Sequence, residues 1–62
     1  MKTTLTHSEE TMAAIRAART DRATARRVAS WARAATIAAG YSDDLNRIRW
    51  ADVERRASRL AK

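Results

Sequence analysis

The chain has no cysteine, no proline, one glycine and one histidine. Without cysteine no disulfide can staple it, and His7 alone cannot build a zinc site, so neither a metal nor a cofactor is expected. Without proline nothing forces a helix to stop, and Gly40 is the one residue that enters left-handed backbone at little steric cost. A long apolar run is also missing. The least charged stretch, 34–46, contains Asp43 and Asp44 and falls far short of the ~20 apolar residues of a membrane span. The opening residues MKTTLTH hold no signal-peptide core, and Glu9, Glu10 and Asp21 are unlike a transit peptide. A soluble, cytoplasmic protein with no membrane partner is expected.

Large apolar side chains are scarce as well. Alanine supplies 15 of the hydrophobic residues, leaving three Leu, three Ile, two Val, two Met, two Trp and one Tyr. A chain of 62 residues is one small domain, and at this size only about 60% of the unfolded surface is buried. A core so thin gains from self-association, which points to a homodimer.

What is plentiful is arginine. Eleven Arg and two Lys against seven acids give a net charge of +6, which favours polyanions or acidic protein surfaces. A guanidinium is always charged and grips phosphate or carboxylate through two hydrogen bonds, unlike the hydrated point charge of Lys. Arg19, Arg22, Arg26 and Arg33 follow intervals of three, four and seven, which aligns them along about four turns of one helix side. Arg47, Arg49, Arg55 and Arg59 extend the basic set in the C-terminal segment. Such rows suit a nucleic-acid backbone or an acidic partner; a solvated helix face that keeps the protein soluble is the plainer alternative.

The organising stretch is 21–39, DRATARRVASWARAATIAA. On a helical wheel Val28, Trp31, Ala35 and Ala38 share one face, nearly opposite Arg22, Arg26 and Arg33. Upstream, Thr6 with Glu9 fits a capping box, and Ser8 followed by two acids is a second possible start. Met12 and Ile15 fall away from the Val28 face on a continuous helix. Either the chain breaks near Thr20 and Asp21, where Asp21 caps a second helix, or one long helix buries two faces; the alanines between favour the long helix. Gly40 suits a helix end, and Ser42 before Asp43 and Asp44 suits the next N-cap. Trp50, Val53, Ala57 and Leu60 then form an apolar seam, with Asp43–Arg47 and Asp52–Arg56 as i,i+4 pairs.

The expected fold is therefore all-α: a helical hairpin of a long helix over about 8–39, with 20–21 as its one breaking point, and a helix over about 43–61. Residues 1–7 are expected to fray. The first helix outruns the second by about a dozen residues, roughly 18 Å, which leaves Met12 and Ile15 without a partner inside the chain and available to a second copy or to another protein. The core and dimer candidates are Met12, Ile15, Val28, Trp31, Ala35, Ala38, Trp50, Val53, Ala57 and Leu60.

Residues 35–50, ATIAAGYSDDLNRIRW, resemble the helix-turn-helix of bacterial and phage repressors through the turn Gly40-Tyr41-Ser42. That resemblance implies DNA contacts from Asn46, Arg47 and Arg49 at the start of the second helix. Leu45 and Ile48 come one place early for the motif, Asp43 and Asp44 would face phosphates, and the same turn is also ordinary capping between hairpin helices.

Catalysis is not expected: His7 stands in the tail, and adjacent Asp43 and Asp44 point about 100° apart on a helix. The expected function is a small basic, non-enzymatic regulatory protein that binds DNA or RNA mainly through Arg–phosphate contacts. The alternative is an inhibitor or adaptor whose Arg-rich and apolar faces dock on an acidic partner protein.

Overall fold

A computed structural model describes residues 7–62. Among these the chain forms three helices and no strand: α1 (Glu9–Ala18), α2 (Arg22–Ala39) and α3 (Asp44–Leu60). The long helix expected over 8–39 is thus two helices. Alanine propensity is overruled at 19–21 by two side chains that compete for backbone groups. The Thr20 hydroxyl donates to the Ala17 carbonyl (2.6 Å), and Asp21, with extended backbone, accepts from the Thr24 N–H (2.7 Å) as the N-cap of α2.

The other helix ends follow the same local chemistry. Ser8 caps α1 by accepting from the Thr11 N–H, with Glu9 and Glu10 in the first turn; Thr6 lies outside the described residues. Gly40 ends α2 at φ 52°, a conformation that costs a side-chain-bearing residue. The cap of α3 is Asp43 rather than Ser42. Asp43 accepts from the Asn46 N–H (3.2 Å), while the Ser42 hydroxyl donates back to the Ala39 carbonyl (3.0 Å). With Asp43 so engaged, Arg47 pairs with Asp44 (3.4 Å) in place of the expected Asp43.

The break has a packing consequence. α1 contacts both α2 and α3, which share the larger interface with each other. Ala14, Ile15 and Ala18 therefore join Ala25, Val28, Ala32, Trp50, Val53 and Ala57 in one buried cluster. Ile15, expected to lack a partner inside the chain, is a core residue; Met12 remains half-exposed. Five of the nine core residues are alanine, so the helices approach closely and little volume is available for larger groups.

Covering by α1 also rotates the buried face of α2. Ala25, Val28 and Ala32 are buried, whereas Ala35 is half-buried and Ala38 exposed. At about 100° per residue, that shifts the face by about 70° from the expected Val28-Trp31-Ala35-Ala38 stripe. Trp31 is left at the rim, 53% exposed, with its ring tilted on buried Trp50 at a centroid distance of 4.9 Å. In α3 the expected seam is buried at Trp50, Val53 and Ala57, and Leu60 is half-exposed at its end.

Leucine in place of Ala25 is expected to overpack the junction and cost about 1–3 kcal/mol in urea unfolding. Leucine in place of Ala34, exposed on the opposite side of α2, should stay within about 0.5 kcal/mol of the parent. The reverse order would place the α2 core on the other face.

Candidate functional site

The start of α1 meets the middle of α3 through a buried carboxylate. Asp52 has a side chain only 6% exposed, and three cations or donors converge on it. His7 Nε2 lies 2.8 Å from Oδ2, Arg56 Nε donates to the same oxygen at 2.9 Å, and Arg55 pairs with Oδ1. A carboxylate only accepts, so His7 carries a proton on Nε2. Its Nδ1 is 3.1 Å from the hydroxyl of Thr11, which also lies 3.0 Å from the Ser8 carbonyl. Of the segment 1–7 expected to fray, residues 1–6 lie outside the described residues and His7 is held in place by these contacts.

Burial pushes the Asp52 carboxyl up; hydrogen bonds from His7, Arg55 and Arg56, with the charge of Arg56, outweigh it and hold the group below its ordinary value. Carboxylate, imidazole and hydroxyl in line share the connectivity of a nucleophilic relay. Thr11, however, is fully buried, so its oxygen is closed to a substrate. The arrangement ties α1 to α3. Asp21 is likewise held below its ordinary value, first by the Thr24 backbone hydrogen bond that caps α2.

The arginines fall into three settings. Arg22, Arg26 and Arg33 are exposed on α2, which has no acidic residue along its length, and among the described residues none of the three is in an ion pair. Arg19 lies beyond the break and leaves their row. It lines a groove together with Ile15, Arg56, Arg59 and Leu60. Three others in α3 are engaged: Arg55 with Asp52, Arg47 with Asp44 and over the Tyr41 ring (5.7 Å), and Arg49 half-buried with an interaction of its own; Arg16 is exposed on α1, and Arg27 is exposed at the start of α2, where its charge acts on Asp21. Asn46 is half-buried too, so the three positions implied by the helix-turn-helix resemblance are drawn in towards the protein.

The His7–Asp52 contact is not legible in the sequence, because it joins residues 45 apart and leaves no periodic trace. Asp52 was legible as the i,i+4 partner of Arg56. Among the described residues no cluster of His, Cys, Asp and Glu could hold a metal ion, and no helix is long and apolar enough to cross a membrane. No family model matches the chain, and comparison with curated proteins and with solved structures gave no match.

Because the Asp52 carboxyl is depressed in the folded state, its stabilising effect is present above its unfolded value of about 3.9 and is lost as pH falls through the lower folded value. Urea midpoints measured from pH 6 down to pH 2 should fall in acid for the parent. The Asp52→Asn variant should start lower and lose part of that acid dependence. An identical acid profile in both would show that Asp52 is not perturbed by folding.

Proposed function

We propose that the exposed face of α2 binds nucleic acid through its phosphates, and that the protein is a small non-enzymatic regulator. The observation that carries this is the contrast among the arginines. Asp52 and Asp44 occupy Arg55, Arg56 and Arg47, while Arg22, Arg26 and Arg33 stand together with no acid on their helix. Spacings of four and seven residues set these side chains about 6 and 10 Å apart along the axis, so a single strand backbone can run past all three.

Binding of this kind is general rather than sequence-reading, since the residues that would reach base edges in a helix-turn-helix are half-buried or paired. In this reading α2 and α3 form a helical hairpin. Half-exposed Trp31, with Ala35 and Ala38 beside it, supplies the contact between two copies, which places two α2 rows in one particle. The dry contact adds core to a chain that has little of its own.

Random-sequence duplex DNA, titrated at 50 and 200 mM salt with the solution mass recorded, tests the proposal. Three phosphate contacts per copy correspond to a log–log slope of about −2.7, or about fortyfold weaker binding at the higher salt, and a dimer doubles the slope. Replacing Arg22, Arg26 and Arg33 with alanine should remove most of that slope and leave the helical signal unchanged. No binding by folded protein at 50 mM, or an unchanged slope in the triple variant, would contradict it.

A further inference from the structure

Besides the α2 row, the structure holds a second concentration of arginine that α2 does not contribute to. Where the end of α1 meets the last turns of α3, a groove of about 170 Å³ is lined by Ile15, Arg19, Arg56, Arg59 and Leu60. Its lining combines two aliphatic side chains with three arginines and no acid. Arg56 is anchored by its bond to Asp52 (2.9 Å). Arg19 and Arg59 are exposed and in no ion pair among the described residues.

A phosphate backbone would satisfy the arginines but gain nothing from Ile15 and Leu60. Size argues against a free small molecule, because pockets that enclose one usually run to roughly 300–1,000 Å³. A volume of about 170 Å³ suits one large apolar side chain, inserted from a surface that continues outside the groove. Three arginines in the lining call for carboxylates on that surface.

We propose that this groove is a docking site for an acidic segment of another protein: one leucine-like side chain rests on Ile15 and Leu60, and flanking Asp or Glu residues pair with Arg19 and Arg59. The site is separate from the α2 face, so it stands whether or not α2 binds nucleic acid. A protein with both would join an acidic partner to a nucleic-acid backbone.

The probe is a short labelled peptide with a single leucine flanked by glutamates, compared with the same peptide carrying serine instead. The leucine peptide should bind about tenfold tighter or more, the return expected from burying one such side chain. Leu60→Ser, a change at a half-exposed helix end, should erase the preference. Arg19→Glu with Arg59→Glu should weaken both peptides and remove the leucine preference, with circular dichroism confirming the fold. The variant lacking Arg22, Arg26 and Arg33 should keep the leucine preference, which separates this site from the nucleic-acid face. Equal affinity for the two peptides would mean charge attraction alone and would overturn the proposal, as would no binding at low salt. A dimer that dissociates on Arg19→Glu with Arg59→Glu would show that a second copy fills the groove, and would overturn it too.

Discussion

A carboxylate withdrawn from water must be matched by donors, and the fold is arranged around that need at Asp52. Leaving such a group unpaired in a buried position costs several kcal/mol. His7, Arg55 and Arg56 meet the demand, and His7 is the one among them that comes from outside α3. Its hydrogen bond fixes where α1 begins, and Thr11 and Ser8 extend the network into the first turn of that helix. Once α1 starts there, Ala14, Ile15 and Ala18 fall on the core. A chain with few large apolar residues thereby completes its interior with a polar clasp.

The same interaction sorts the charges. Asp52 occupies two arginines of α3, and Asp44 occupies Arg47. What remains uncompensated is concentrated on α2 and in the groove at the ends of α1 and α3. The two surfaces differ in kind. The first is a helix face of arginines without acids, and the second is a groove whose lining mixes arginine with aliphatic side chains. A net charge of +6 is thus spread unevenly over the surface.

Much of the local structure was legible in the sequence, because caps and seams are local signals. The glycine end of α2 and the Trp50-Val53-Ala57 seam stand where spacing placed them. Asp21 was visible as a capping residue, but the run of alanines outweighed it, since propensity sums over many residues and a tertiary gain does not show in them. Once α1 folds back, the buried face of α2 turns towards Ala25 and Ala32, and Trp31 moves to the rim. That rotation depends on a neighbour whose position no period in α2 encodes. The basic surfaces were legible as a set of arginines. Arg56 was legible as the partner of Asp52, but the capture of Arg55 by the same carboxylate and the turn of Arg47 to Asp44 were not, because they are decided by where Asp43, Asp44 and Asp52 point.

The coupling between His7 and Asp52 is what joins α1 to α3 through side chains. A double-mutant cycle with His7→Ala, Asp52→Ala and the combined variant, followed by urea unfolding at pH 7, measures it. If the contact pins α1 to α3, the two changes should be non-additive by about 1 kcal/mol or more, and the double variant should be little worse than the more damaging single one. Additive effects would contradict the account, because they would mean that α1 is held by its apolar face alone.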